Sequence, residues 1–368
     1  AAREYDFHKV DAHALKAPAS ARKSLESMAD YLCDPFRDEP VKMARSIFRW
    51  CCENIEYDTS TYHGESRCSQ APGDVLATGK AVCAGYAGVM LSLCSLAGVP
   101  CVELSGCSKA ASYRLGMTAD ELNPNHAWNA VHLDGRWQFL ETTWAAGHCD
   151  DHVFTREFDD TWWLTPPADF LYKHFPCSVR GLKRLPASLE HPGSDPSAWQ
   201  LLDRGIDGGR QPVSKTTWAK MAQVRPLFFR YGLAFNPDSK SSRNTIEHHG
   251  SEALRLSFTV PVGVKLTSNV KRQTRGGGHH KSKRGSRPAA SSVTTRDAPN
   301  SDHVSVHVKF ESEGAYVVNF FGKQASAPTS TRGRFLHAVL VKVKADGITA
   351  GGLPLDVRDA AAAAGLKV

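Results

Sequence analysis

Apolar residues recur at helical spacing in the first half of this chain and alternate with polar ones in the second. Val41, Ala44, Ile47, Phe48, Cys51 and Ile55 fall on one face and predict a helix from Val41 to Ile55; Ala21 to Leu32 predicts an earlier one. From Val82 onward, Tyr86, Val89, Met90 and Leu93 repeat the spacing until Gly98-Val99-Pro100 stops it, so a buried helix begins at or near Cys83. Cys101 to Gly106 then reads as the start of a strand. His126 to Leu133 and Arg136 to Trp144 flank Asp134-Gly135, the strongest short-range signal for a two-residue β-hairpin. Past Asp207-Gly208-Gly209 the period is two: Leu254, Leu256, Phe258 and Val260, then Val304, Val306, Val308 and Phe310, then Val339, Val341 and Val343 alternate with polar residues. Such half-buried antiparallel strands predict a β-sandwich.

The change of texture divides the 368 residues into an α+β domain over 1–205 and a sandwich over 206–368. Cys177 to Ala198, rich in Pro, Ser and Arg, reads as a surface insertion in the first. Charge sharpens the picture of the second. The net charge of +7 invites a nucleic-acid reading, but eight Lys and Arg with no acid lie between Lys271 and Arg296, and without these eight the +7 becomes −1. The basicity therefore belongs to one Gly/Ser-rich insert at about 271–301, expected to be a disordered excursion between strands, and no specific nucleic-acid partner is expected. No apolar run approaches the length of a membrane span, and with no initiator Met the chain reads as a fragment. All ten cysteines lie between Cys33 and Cys177; beside a nucleophilic thiol they read as mostly free and buried, in a reducing cytoplasmic compartment.

The candidate chemistry starts at Cys83. A thiol in the first turn of a helix is acidified by the helix dipole and unpaired N–H groups, and Lys80 would add a nearby positive charge. With Asp134-Gly135 as the turn, His126 falls opposite Thr143 and shares a face with Glu141, spacing that permits an imidazole–carboxylate hydrogen bond. A Cys–His–carboxylate set fits nucleophilic catalysis at a carbonyl. The stretch His148-Cys149-Asp150-Asp151-His152 lacks the paired Cys spacing of structural zinc, and no alternating acidic loop suggests calcium, so neither metal nor cofactor is expected. Among the tryptophans, Trp128 and Trp137 read as core; Trp162 and Trp163 suit a core or a peptide groove equally.

Cys83 in a Gly-x-x-x-Cys-x-Gly-Tyr context, His126-Ala127-Trp128-Asn129-Ala130-Val131, and Glu141 before Thr142-Thr143-Trp144 together resemble the transglutaminase-like (papain-like) cysteine-protease core. Asp11-Ala12-His13, Ile47-Phe48-Arg49-Trp50, Asn54-Ile55-Glu56-Tyr57-Asp58, Trp163-Leu164-Thr165-Pro166, His174-Phe175-Pro176 and Trp199-Gln200-Leu201-Leu202 resemble the kyphoscoliosis peptidase and hillarin branch. The resemblance implies Cys83 as nucleophile, His126 as general base and Glu141 as third member, where the family usually has the shorter Asp, and an immunoglobulin-like second domain. It implies a cysteine peptidase acting on peptide or glutaminyl amide bonds, on a protein substrate or cytoskeletal protein. The alternatives are a protein-glutamine transglutaminase and a catalytically weak or silent cytoskeletal scaffold.

Overall fold

The computed structural model describes residues 5–110, 112–150, 152–181, 213–249, 252–273 and 290–344. The chain divides into two compact units, Ala1–Arg230 and Tyr231–Val368.

The first unit opens with helices α1 (His8–Ala14), α2 (Leu25–Cys33) and α3 (Pro40–Asn54). The expected helix over 21–32 is split at Ser24, which caps α2 in a reciprocal capping box with Ser27, after a 3-10 turn at Ala19–Lys23. Helix α3 starts on Pro40, where a missing N–H costs nothing, and buries the face the spacing predicts. Strand β1 (Glu56–Tyr57) and the short α4 (Thr59–Tyr62) lead to α5 (Pro72–Thr78), β2 (Lys80–Ala81) and α6 (Cys83–Leu96). Helix α6 is apolar all round and buried accordingly. It packs against α2, α3 and α5 on its helical side and against the sheet on the other.

That sheet is antiparallel, in the order β5-β4-β3-β8, from β3 (Cys101–Ser108), β4 (His126–Leu133), β5 (Arg136–Leu140) and β8 (His174–Arg180). Asn129 ties it to α6, its Nδ2 donating to Ala87 O at 3.0 Å. Between β5 and β8 lie α7 (Thr142–Ala146), the ribbon β6 (Gly147–Asp150) and β7 (Val153–Arg156), and α8 (Pro167–Phe170). The unit closes with residues 213–230. Trp218 is fully buried, and its indole N–H donates to Leu171 O at 2.6 Å.

The second unit is a sandwich of two sheets. One runs Ala234–Phe235, Leu254–Thr259, His303–Phe310, Ala290–Arg296; the other runs Thr245–His249, Arg334–Lys344, Gly314–Gln324, Val264–Arg272. Phe258 of the first meets Phe320 of the second edge to face at 4.9 Å. The predicted alternation holds at Leu254, Leu256 and Phe258 and at Val304, Val306 and Val308, all buried.

Three sequence expectations need correction. Residues 177–180 are not insertion: they continue β8 and pair with β3, Val179 opposite Leu104. The basic insert is shorter than 271–301, because Arg272 ends one strand and Ala290–Arg296 forms another. The latter pairs along its length with His303–Phe310 but has Val293 half exposed, so a ladder rather than an apolar period holds it. Residues 182–198 and 274–289 of these stretches and the Trp199-Gln200-Leu201-Leu202 motif lie outside the described residues. The division between compact units falls after Arg230 rather than at 205, with Trp218 and Arg230 bonding to Leu171 O and Trp163 O.

Candidate active site

Cys83 is the first residue of α6, and its thiol is half-buried. Val82, the residue before the helix, has no capping side chain of its own; Gln70 supplies one from outside. Its Oε1 accepts from Val82 N at 3.0 Å and Gly85 N at 3.1 Å, while its Nε2 donates to Cys68 O at 3.0 Å. That contact explains the glycine two residues after the cysteine. A Cβ on Gly85 would sit 2.6 Å from Gln70 Oε1 and 2.6 Å from Ala81 Cβ.

His126 opens β4, and the hairpin places Glu141 beside it. Asp134 and Gly135 both have positive φ, 51° and 76°, as a tight two-residue turn requires. The pairs Asn129 with Leu140 and His132 with Trp137 follow the predicted register. The strand stops at Leu140, however, so His126 has no ladder partner at Thr143. Glu141 instead becomes the N-cap of α7: its Oε1 accepts from Thr143 N at 2.9 Å and Trp144 N at 3.3 Å. Its Oε2 then lies 2.6 Å from His126 Nε2. Glu141 is fully buried, and Trp144 stacks over the imidazole at 4.9 Å and 19°.

The electrostatics follow from this geometry. Burial alone would raise the Glu141 pKa, but the His126 charge and hydrogen bonds from His126 and His174 bring it down to about 2. Burial alone would depress His126; the Glu141 charge and hydrogen bonds with Cys83 and Glu141 push it up to about 10. For Cys83, burial works against the thiolate, yet the His126 side chain and the Ala127 backbone N–H outweigh it and lower the pKa. Glu141 occupies His126 Nε2, which leaves Nδ1 as the nitrogen for the thiol. Lys80 does not take the expected part: it is exposed, and its charge bears on Asp58 and Cys68.

Two participants escaped the sequence reading. Gln70 carries no local signal, since it lies thirteen residues before the cysteine it supports. His174, within the His-Phe-Pro motif, comes from β8 and places Nε2 3.2 Å from Glu141 Oε2. Among the described residues, the nitrogens and carboxylate of His126, Glu141 and His174 lie within 4.8 Å of one another but are spent on hydrogen bonds to each other; the stretch at 148–152 forms no such cluster among those residues. All four of Trp128, Trp137, Trp162 and Trp163 are buried core; His126 stacks on the half-buried Trp144 at 4.9 Å and on Trp128 at 6.1 Å.

Residues 30–142, containing Cys83, His126 and Glu141, match the transglutaminase-like superfamily. Residues 215–354 match the KY-like, immunoglobulin-like domain. The chain therefore carries a transglutaminase-like domain followed by a KY-like, immunoglobulin-like domain. It is 37% identical to kyphoscoliosis peptidase of Mus musculus over 271 residues, 73% of this chain and 36% of that protein. It is 29% identical to Lim and transglutaminase domain protein ltd-1 of Caenorhabditis elegans over 266 residues, 69% of this chain and 33% of that one. Hillarin of Drosophila melanogaster is 25% identical over 269 residues, 70% of this chain and 30% of that one. The chain thus spans about a third of the length of the curated relatives it matches. No helix among the described residues is long and apolar enough to cross a membrane.

Proposed function

We propose that the transglutaminase-like domain is a thiol hydrolase of peptide or glutaminyl amide bonds, with Cys83 as nucleophile, His126 as acid and base, and Glu141 as the group that orients and charges the imidazole. The observation that carries this reading is the 2.6 Å contact between His126 Nε2 and Glu141 Oε2, beside a thiol whose pKa is lowered. The resting pair is thiolate and imidazolium. The sulfur attacks the carbonyl carbon, and the backbone N–H of Cys83 is one donor to the developing oxyanion. The imidazolium then gives its proton to the departing amine as the C–N bond breaks, leaving a thioester and a neutral imidazole. Water, deprotonated by that imidazole, hydrolyses the thioester; a lysine amine in its place would make the reaction a cross-linking one.

Alkylation tests the reading. Iodoacetamide followed by peptide mass mapping should label Cys83 faster than the buried Cys94 and Cys101. His126→Ala should slow labelling of Cys83 about tenfold or more and leave the exposed Cys149 and Cys177 unchanged; equal slowing of all, or of none, defeats the triad. Incorporation of a fluorescent amine into a glutamine-containing protein would assign transfer rather than hydrolysis. The silent-scaffold alternative rests on the longer acid, and a Glu141 contact at hydrogen-bond distance weighs against it. Association with cytoskeletal protein in the cytoplasm belongs to the same proposal: Cys83→Ser should abolish turnover and leave that association intact, which co-sedimentation with filaments measures.

A further inference from the structure

The carboxylate that orients His126 carries a second imidazole. His174 Nε2 approaches Glu141 Oε2, the oxygen that His126 also uses, while Oε1 is taken by two backbone N–H groups. Four donors thus converge on one buried carboxylate, filling the roughly four lone-pair sites that such a group offers.

The ring of His174 is fixed on several sides. It stacks on Phe170 at 3.9 Å and 15°, meets Trp162 edge on at 5.9 Å, and lies against Trp128 at 4.8 Å and Trp144 at 4.5 Å. It is fully buried, and its Nδ1 has no hydrogen-bond partner among the described residues. A ring with one nitrogen dry and the other against a carboxylate carries one proton, on Nε2. The titratable groups facing it are Glu141, His126 and Lys173; burial brings its own pKa down to about 4 despite Glu141, so it stays neutral at physiological pH. With Nδ1 dry it has no route to pass that proton on, so it acts as a fixed donor rather than a relay.

We propose that His174 is a positioning residue of the thiol site: its Nε2–H holds the Glu141 carboxylate ionised, which keeps the shared proton on His126 and so presents Cys83 with an imidazolium. This rests on the triad reading above. Without that donor, the buried carboxylate draws the proton from His126, the ring facing Cys83 becomes neutral, and the thiolate loses its counter-ion.

The test is the pH dependence of Cys83 alkylation in the whole chain, with thermal unfolding recorded for each variant. His174→Phe keeps an aromatic ring on Phe170 and removes the donor; its alkylation midpoint should rise by about one pH unit, the scale of one charge-assisted hydrogen bond. His174→Gln retains an N–H and should stay near the wild-type midpoint. Glu141→Gln, as the control on the triad itself, should raise the midpoint at least as far as His174→Phe. If Glu141→Gln shifts the midpoint and His174→Phe does not, or if Phe and Gln behave alike at position 174, the role of His174 is overturned and the triad stands. If Glu141→Gln shifts nothing, the triad falls and this proposal with it. A lowered melting temperature in His174→Phe with the midpoint unmoved makes His174 a packing residue only and overturns the proposal.

Discussion

At the residue scale the decisive side chain is Glu141, one methylene longer than the acid the family resemblance leads one to expect. Its length serves two tasks: Oε1 caps α7 at the Thr143 and Trp144 N–H groups, while Oε2 reaches His126. Asp is itself a good N-cap, but from the same backbone position it would satisfy the cap and fall short of the imidazole. Glu141→Asp should therefore keep the cap, lower the thermal midpoint because the buried His126 loses its carboxylate, and slow Cys83 alkylation by about tenfold. Stability should carry the pair's signature in pH. Glu141, lowered from 4.5 to about 2, contributes fully above 4.5 and loses that contribution as pH falls toward 2. His126, raised from 6.5 to about 10, contributes fully below 6.5 and loses it as pH rises through 10. Denaturant titrations should show the pair's contribution greatest between these limits, and the double variant His126→Leu/Glu141→Gln should lose that pH dependence.

At the scale of elements, the start of α6 is built from a distance. Gln70 takes the N–H groups of Val82 before the helix and Gly85 in its first turn, and only a residue without a Cβ fits at Gly85. Gly85→Ala should cost about 1–3 kcal/mol by overpacking and also slow Cys83 alkylation by displacing Gln70, which urea denaturation and labelling measure together. A second element-level tie explains the Asp11-Ala12-His13 motif. Buried Arg45 of α3 holds Asp11 of α1 through two bonds of 2.7 Å and also pairs with Asp160. Removing Asp11 takes away the two-pronged partner and leaves Arg45 with Asp160 alone, so Asp11→Ala should cost about 1–3 kcal/mol; Asp160, half exposed, should cost less when replaced. The hairpin was legible because both its turn and its alternation are local. The end of β5 was not, because α7 competes for Glu141 and nothing in the period-two pattern shows a cap.

At the scale of the whole molecule, the boundary after Arg230 carries a prediction. Lys109 is fully buried and donates to Trp218 O at 2.9 Å and Met221 O at 2.7 Å, and Gln223 returns a bond to Lys109 O. A chain ended at 205 loses those acceptors and the buried Trp218, at a cost on the order of 3–5 kcal/mol from the tryptophan alone. It should lack a cooperative thermal transition, and one ended at 230 should retain it. By itself the sequence determined the helix that begins at Cys83, the register around Asp134-Gly135, the sandwich strands and the transglutaminase-like resemblance, because each is written in contiguous spacing or motif. Only the tertiary structure decided that Glu141 leaves its strand to cap a helix, that His174 arrives from β8, that Gln70 supports the helix start at the thiol, and that Trp218 packs against Lys109 and Leu171. Those are contacts between residues far apart in the chain, and no periodicity encodes which distant partner will satisfy a buried polar group.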